Sequence, residues 1–224
     1  MALAAMDPAA FIRSNTKLLP VPLVPEIRLH IAEESLPIWE KTEEELGAMN
    51  IPPPYWAFAW AGGQALARFV LDNPSIVSGR CVLDLGSGSG LAAIAAAKAG
   101  ALRVLAADID ALAVTAISLN AEANSVTLET TADDLLAVSP GVFDLVLIGD
   151  LFYERSLAER VLVFADAARA RGAVVLAGDP RRGYFPLDRF HRLAEYSVPV
   201  TRELEDAEIK RTAVWRLDAN PRQA

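Results

Sequence analysis

Short apolar segments alternate with helical segments along this chain, and this alternation is the feature that most limits its possible folds. Between residues 80 and 180 four apolar segments rich in Val, Leu, Ile and Ala are too short for helices: "RCVLDLG", "RVLAADID", "FDLVLIGD" and "AVVLAGDP". A further strand, "VTLETTADD", is predicted between the second and third of them. Continuous apolar strands that alternate with helices indicate a parallel sheet covered on both faces. We therefore predict a doubly wound α/β fold, in which ligands bind at the carboxyl ends of the strands.

Helices are predicted between these strands, and further elements at both ends of the chain. The predicted central helices are "GGQALARFVLDNP", Ser89–Ala99, "ALAVTAISLNAEAN" and Ser156–Arg171. Towards the C-terminus, "DRFHRLAEY" is predicted as a short helix and "KRTAVWRL" as a last strand with alternating polarity. Towards the N-terminus, "DPAAFIRSNTKL" has the Asp-Pro start of a helix, "PEIRLHIA" alternates as an edge strand does, and "LPIWEKTEEELGAMN" fits a further helix.

Composition and charge argue against several classes of protein. Of the 224 residues, 53% are hydrophobic and 22% are charged, which is typical of one folded domain. The formal net charge of −8 argues against nucleic-acid binding, because that needs a basic surface to neutralise phosphates. Cys81 is the single cysteine, so no internal disulfide can form. His30 and His191 have no ligand cluster near them in the sequence, so we expect no metal site.

The N-terminal sequence and the hydropathy pattern bear on where the protein works. "MALAAMDPAAFIR" has no basic start and too short an apolar run for a signal peptide, and its acidic residue argues against a transit peptide. No run of about 18 apolar residues indicates a membrane span. We expect a cytoplasmic protein that does not bind membranes and is a monomer. The alanine- and arginine-rich composition, with four lysines, indicates a bacterial origin.

A turn with three glycines follows the first strand of the predicted sheet. Gly86, Gly88 and Gly90 come after Asp84, and Leu91 stands where a dinucleotide fingerprint needs its third glycine. A carboxylate beside the turn would repel a pyrophosphate, whereas it suits a ligand with a cationic group. An acid followed by alternating glycines is typical of S-adenosylmethionine sites, and we predict that the three glycines and Asp84 bind that cofactor. The alternative is a tight strand-to-helix turn that needs glycine for its backbone.

Acids at the ends of the next two strands extend the predicted cofactor site. Asp108 is placed to accept hydrogen bonds from both ribose hydroxyls, with Ile109 beside it. Its alternative role is the N-cap of the next helix, for which Asp110 is better placed. Asp133 is predicted to meet the adenine amino group, while Asp134 could cap a short turn.

Several segments together resemble a known enzyme family. They are "PPPYWAFAWAGGQALARFVLDNP", "RCVLDLGSGSGLAAIAAAKAGA", "AADIDALAVTAISLNAEAN", "DLVLIGDLFYE" and "GDPRRGYF". They are similar to the seven-β-strand protein-lysine methyltransferases, and most of all to those that act on the electron transfer flavoprotein β subunit. The resemblance implies a Rossmann-like seven-stranded class I methyltransferase sheet at residues 52–224. Residues 1–51 would then be an N-terminal extension packed on that domain.

The resemblance also implies a reaction and a set of residues. The cofactor would be S-adenosylmethionine, with S-adenosylhomocysteine as product, and the acceptor a lysine of the flavoprotein β subunit. Trp60 and Gly62 would lie by the cofactor, although Ala61 stands where the family has proline. Asp150 would orient the amine and contact the cofactor, and Phe152 and Tyr153 would wall the lysine channel.

Some of these residues and the function have alternatives. The aromatic residues, including Trp56, could be core residues, and the leucine and phenylalanine after Asp150 replace prolines found where the acceptor is a nucleobase. Arg181 and Arg182 either contact the substrate or are solvated, and we place them outside the catalytic set. The alternative functions are a methyltransferase for another protein or a small amine, and a non-catalytic module that binds the cofactor or a partner.

Overall fold

The computed structural model describes residues 7–32, 53–201 and 208–218. Its centre is a seven-stranded sheet with the order β5-β4-β3-β6-β7-β9-β8. The strands of this sheet are β3 (Cys81–Leu85), β4 (Arg103–Ala107), β5 (Glu129–Thr131), β6 (Leu145–Gly149), β7 (Val174–Asp179), β8 (Phe190–Pro199) and β9 (Ile209–Leu217). The first five of them are parallel, and β9 runs antiparallel between β7 and β8. The strand order reverses at β3, so the carboxyl ends of β3, β4 and β6 surround one crevice.

Helices cover both faces of the sheet, as predicted. The described helices are α1 (Pro8–Asn15), α2 (Ala61–Asp72), α3 (Leu91–Lys98), α4 (Ala111–Ala123) and α5 (Arg155–Ala170). Buried apolar residues of α2 and α3 pack on one face of the sheet, and those of α5 pack on the other. In the described residues no helix is long and apolar enough to cross a membrane.

A two-stranded hairpin, β1 (Lys17–Val21) and β2 (Val24–Ile31), packs on the α2 and α3 side of the molecule. Its backbone is tied to the domain by amide side chains. Asn120 accepts a hydrogen bond from the His30 N–H at 2.7 Å, and Asn124 bonds both the N–H and the carbonyl of Arg28. Gln64 accepts from the Leu23 N–H at 3.1 Å. Side-chain amides thus satisfy backbone groups of β2 and of the hairpin turn that, among the described residues, pair with no third strand.

Two elements differ from the sequence prediction. The segment "DRFHRLAEY" is not a helix, because Phe190–Pro199 forms the edge strand β8, paired along its length with β9. Lys17–Val21, predicted in part as the end of the first helix, is a strand. The predicted helix "LPIWEKTEEELGAMN" and the boundary between residues 51 and 52 lie outside the described residues.

The start of α2 approaches β7 so closely that no side chain fits between them. A Cβ on Gly62 would overlap the carbonyl oxygen of Gly178, and a Cβ on Gly178 would overlap the carbonyl oxygen of Gly62. Gly63, the next residue of α2, is open by comparison, since its nearest neighbour would be Leu91 at 3.9 Å. The glycine pair therefore fixes the distance between the start of α2 and the end of β7.

We expect Gly62→Ala to lower the free energy of unfolding by at least about 2 kcal/mol, because the added methyl group must push two backbones apart. Gly63→Ala is the matched control, since it makes the same change one residue later in the same helix. It should leave stability unchanged or raise it by up to about 1 kcal/mol through helix propensity. Urea denaturation of both variants measures this difference. Equal effects of the two substitutions would contradict the close approach as the cause.

Candidate active site

A cavity of about 450 Å³ opens at the carboxyl ends of β3, β4 and β6. Its walls are mainly apolar, with carboxylates at the strand ends and aromatic rings at the mouth. The residues predicted for the site that line it are Trp60, Gly86, Gly88, Asp108, Ile109, Asp133, Asp150 and Tyr153. Asp84, Gly62, Gly90 and Phe152 were also predicted for the site but do not line it. The topology thus brings most of the predicted residues to one crevice.

The glycine turn between β3 and α3 has a left-handed backbone at all three glycines. The φ angles are +64° at Gly86, +55° at Gly88 and +82° at Gly90, a region that side chains other than those of Asn and Asp rarely adopt. Gly86 and Gly88 present bare backbone to the cavity. Gly90 instead packs against Ile117 of α4, where a Cβ would lie 3.2 Å from the side chain. The structure therefore gives Gly90 a packing role, while its predicted contact with the cofactor stays a prediction.

Asp84 lies beneath the glycine turn and does not reach the cavity. Its Oδ2 accepts hydrogen bonds from the Ser87 hydroxyl at 2.5 Å and from the Ala93 N–H at 3.0 Å, in the first turn of α3. Burial raises the pKa of Asp84 to about 6, although both hydrogen bonds favour the carboxylate. The Asp84 carboxylate therefore stabilises the turn that faces the cavity, while its predicted contact with the cofactor stays a prediction.

Asp108 lies at the tip of β4 and lines the cavity. Its Oδ2 accepts from the Gly88 N–H at 2.8 Å, and its Oδ1 accepts from the Asp110 N–H at 3.0 Å. Burial raises the pKa of Asp108. Asp110 caps α4 by accepting from the Leu112 N–H, as predicted, which leaves Asp108 for the cavity. Ile109, with 74% of its surface exposed, stands beside it as an apolar wall.

Two acids follow β5 at the next edge of the cavity. Asp133 is exposed, and its Oδ2 accepts from the Thr131 hydroxyl at 2.7 Å. Asp134 caps the short turn Leu135–Ala137 and pairs with Arg160 at 2.5 Å. The prediction that Asp134 caps a turn is confirmed, and Asp133 is left facing the cavity.

Aromatic rings form the mouth of the cavity. Trp60 is the N-cap residue of α2, and its ring centre lies 6.0 Å from that of Tyr55. Tyr55 in turn lies 5.9 Å from Tyr153, and both tyrosines are about half exposed. Sequence reasoning missed Tyr55, although it stands in the quoted segment "PPPYWAFAW". Trp56, beside it, is 1% exposed and packs with α1 and α4, while also bordering the cavity.

Phe152 does not wall a channel, contrary to prediction. Its side chain is fully buried, and its ring lies 5.1 Å from Phe185 and 6.0 Å from Phe190 in edge-to-face arrangements. Asp150, two residues earlier, has a left-handed backbone with φ +58°, which turns the chain after β6. That turn sends Phe152 into the core and leaves Tyr153 at the mouth.

Asp150 is 8% exposed and joins the start of α2 to the loop after β7. Its Oδ2 accepts from the Gly63 N–H at 3.0 Å, where the helix dipole favours a negative charge. Its Oδ1 accepts from Arg182, with Nε at 2.9 Å and the terminal nitrogen at 2.6 Å. Sequence reasoning left Arg182 outside the site, yet it lines the cavity, and its guanidinium carbon lies 5.5 Å from the centre of the Trp60 ring.

Asp179, the last residue of β7, is a buried carboxyl that sequence reasoning did not single out. Its Oδ1 accepts from the Arg182 N–H at 2.7 Å, while among the described residues its Oδ2 has no hydrogen-bond partner. Burial, and after it the charge of Asp150, raises the pKa of Asp179 to about 7. In the part of the chain that the structure describes, no group of three or more His, Cys, Asp and Glu side chains is arranged to bind a metal.

Relatives with known names share almost the whole chain. The electron transfer flavoprotein beta subunit lysine methyltransferase of Xenopus laevis is 39% identical over 221 residues, which cover 96% of this chain and 89% of the relative. The chain belongs to this family. The protein of that name from Homo sapiens is 37% identical and covers 94% of this chain and 82% of its own length. The predicted resemblance is confirmed, and the chain is a methyltransferase.

A family model and solved structures agree on the fold. Residues 65–149 match the model "Ribosomal protein L11 methyltransferase (PrmA)". The crystal structure of a ribosomal protein L11 methylase from Lactobacillus delbrueckii subsp. bulgaricus is 25% identical with a TM-score of 0.50, covering 82% of this chain and 94% of that one. Magnesium protoporphyrin IX methyltransferase from Synechocystis, solved with S-adenosylmethionine bound, has a TM-score of 0.51 at 17% identity, covering 70% of this chain and 78% of that one. The predicted seven-stranded methyltransferase sheet is confirmed.

The predicted bacterial origin has no support from these relatives. The named flavoprotein methyltransferases, from Xenopus laevis to Homo sapiens, are animal proteins. The alanine and arginine content alone is therefore not enough to indicate a bacterial origin.

Asp179 makes the stability of the protein depend on pH. Its unfolded pKa is about 3.9, so between about pH 4 and pH 7 the folded state retains a proton that the unfolded state has lost. Stability contributed by this group therefore falls as the pH rises through that window. Asp179→Asn removes this pH dependence. The free energy of unfolding of the variant, relative to that of the parent protein, should therefore be roughly 1–3 kcal/mol higher at pH 8 than at pH 4.5.

Urea denaturation at both pH values measures this gain. Asp188→Asn, a change at an exposed aspartate, is the control and should keep a constant difference from the parent. If Asp179→Asn also keeps a constant difference, burial does not raise the pKa of Asp179 as the structure indicates.

Proposed function

We propose that this protein transfers methyl groups from S-adenosylmethionine to lysine side chains of the electron transfer flavoprotein β subunit. The observation that carries the proposal is a continuous cavity in the described residues, which joins the glycine turn and Asp108 to an aromatic mouth beside Asp150. One end suits a nucleoside and the other suits an alkyl amine. Family membership supports the substrate, because the relatives carry it in their names.

The residues present fit S-adenosylmethionine. The left-handed glycines allow close approach of the ligand to the backbone, and Asp108 offers carboxylate oxygens for ribose hydroxyls. Ile109, Leu135 and Leu136 supply apolar walls, and Asp133 lies at the edge where the adenine amino group would end. When bound, this cofactor supplies an activated methyl group on a sulfonium centre.

The chain must present the acceptor lysine as a neutral amine. With a pKa near 10.4, loss of the proton at pH 7.5 costs about 4 kcal/mol. The rings of Tyr55, Trp60 and Tyr153 at the mouth would remove water from the lysine side chain, which disfavours the ammonium form. Alignment of the amine then lowers much of the remaining barrier.

Asp150 serves in this proposal to orient the amine and not to remove its proton. Both of its oxygens already accept hydrogen bonds, from Gly63 and from Arg182, so the carboxylate is fixed in place. A fixed acceptor can direct an N–H of the incoming amine and so aim the nitrogen lone pair into the cavity. Tyr153 would contact the lysine stem, since it is half exposed at the mouth.

Two alternatives remain open to test: an acceptor other than the flavoprotein, and a module that binds without catalysis. The exposed aromatic mouth favours a side chain presented by a protein over a small polar amine. The cytoplasmic location, the monomeric state and the absence of membrane and nucleic-acid partners stay predictions from the sequence.

We expect Asp108→Asn to weaken S-adenosylmethionine binding at least tenfold, because an amide keeps one acceptor oxygen and loses the second. Isothermal titration calorimetry with the purified protein measures the Kd. Asp133→Asn is the comparison, and it should have a smaller effect because Asp133 is exposed to water. An unchanged Kd for Asp108→Asn would remove Asp108 from the cofactor site.

We expect the purified protein to methylate the isolated flavoprotein β subunit, and Asp150→Ala to lower that rate at least tenfold while still folding. Mass spectrometry of the subunit before and after incubation counts the methyl groups and locates them. A cell lysate with labelled cofactor runs in parallel. Label in another protein or in small molecules would support a different acceptor, and no label would support a module without catalysis.

A further inference from the structure

Arg182 places a positive charge against the carboxylate that faces the acceptor. Its Nε and one terminal nitrogen lie 2.9 Å and 2.6 Å from the same oxygen of Asp150, and the side chains of both residues are largely buried. The guanidinium also lies over the Trp60 ring, at 5.5 Å from its centre, and borders the cavity. This contact links the loop after β7, the end of β6 and the start of α2.

The backbone of Arg182 is held as firmly as its side chain. Its N–H donates to Asp179 Oδ1 at 2.7 Å, and Trp215 of β9 donates its indole N–H to the Asp179 carbonyl at 3.1 Å. Arg181, the preceding residue, points elsewhere, because its guanidinium lies over the Trp215 ring at 5.7 Å. Adjacent arginines of one loop thus have different partners, and Arg182 is the one directed to Asp150.

The sign of the charge near the acceptor decides whether a lysine can react. A carboxylate close to the amine stabilises the ammonium form, which has no lone pair and cannot accept a methyl group. A guanidinium on that carboxylate cancels much of its charge and is itself repelled by an ammonium. Since Asp150 and Arg182 both line the cavity, both effects act on the amine that the proposed function brings there.

We propose that Arg182 is a positioning residue that fixes the Asp150 carboxylate and offsets its charge, so that the acceptor lysine releases its proton to solvent water near neutral pH. This inference rests on the proposed lysine methylation. It goes beyond it by naming the residue that allows the amine to be neutral in the acceptor site. Nothing in the reaction requires Arg182 to touch the methyl group or to take the proton.

Other charged and titratable groups lie near Asp150 and Arg182, and their effects on the amine must be distinguished from the effect of this pair. Asp179 lies next to it on β7, Glu154 follows it on the chain, and Asp108 stands across the cavity at the end of β4. Tyr55 and Tyr153 border the mouth, and burial raises the pKa of Tyr153. Arg181 lies beside Asp179 on the same loop. Burial raises the pKa of Asp179 to about 7, so Asp179 needs its own control.

The test is the pH profile of kcat for methylation, measured with both S-adenosylmethionine and the flavoprotein β subunit at saturation, since kcat reports groups that titrate in the bound complex. We expect Arg182→Gln to move the acid limb of the profile up by about one pH unit, which lowers the rate about tenfold at pH 7. At alkaline pH the parent and variant rates should converge. Arg182→Lys keeps the charge and should restore the position of the limb, even if its rate is lower through lost geometry.

Two control variants separate Arg182 from its surroundings. Arg181→Gln makes the same change in net charge one residue away and should leave the acid limb within about 0.3 pH units of the parent. Asp179→Asn should also leave the acid limb in place, because in this proposal the limb reports the protonation of the amine and not that of Asp179. A limb that moves with Asp179→Asn instead would overturn the assignment.

The remaining outcomes also decide the question. If Arg182→Gln lowers the rate equally at every pH, Arg182 is structural and the inference is wrong, while the proposed function stands. If the parent protein fails to methylate the subunit at any pH, the proposed function and the inference fall together. Cofactor binding by calorimetry, unchanged in Arg182→Gln, shows that the variant is folded.

Discussion

The carboxylate of Asp150 is the interaction on which the rest of the candidate site depends. It joins the first turn of α2, through the Gly63 N–H, to the loop after β7, through Arg182. Those two elements can meet there because Gly62 and Gly178 leave no side chains between them. A nearly buried charge is tolerated only when hydrogen bonds and an opposite charge compensate its lost hydration, and Asp150 has both. The close packing and the ion pair therefore stabilise one another.

The acids of the cofactor side work in a related way, by holding backbone in place. Asp84 stabilises the glycine turn from below, and Asp108, at the end of the neighbouring strand, accepts from the Gly88 N–H. Burial raises the pKa of both, so each carboxylate is kept in position at a cost that its hydrogen bonds partly offset. An acid next to a glycine turn thus has two readings, ligand contact and support of the turn. Asp108 lines the cavity and can contact a ligand, whereas Asp84 does not line it and supports the turn.

The sequence predicts the parallel part of the fold well, because apolar strands between helices leave few alternatives. The prediction is wrong at β8, where Arg, Leu, Ala and Glu have a local preference for a helix. Pairing with β9 and the exposure of one face stabilise a strand there instead. Asp108 and Asp133 were predicted from their places at strand ends, whereas Asp150 came from the resemblance and Asp179 was not singled out. The partner of Asp150 and the direction of Phe152 were not predictable from topology. Both depend on the left-handed turn at Asp150 and on a loop that returns 32 residues later.

The residues of the candidate site come from two kinds of segment. The match to the ribosomal protein L11 methyltransferase model covers residues 65–149, which contain the glycine turn, Asp108 and Asp133, and it ends one residue before Asp150. Tyr55, Trp60, Tyr153 and Arg182 all lie outside it. The residues predicted for the cofactor thus come mainly from strand ends and tight turns, while those proposed for the acceptor come from irregular segments. Because loops tolerate change better than buried strands, a new acceptor can evolve on this fold while the cofactor half stays intact.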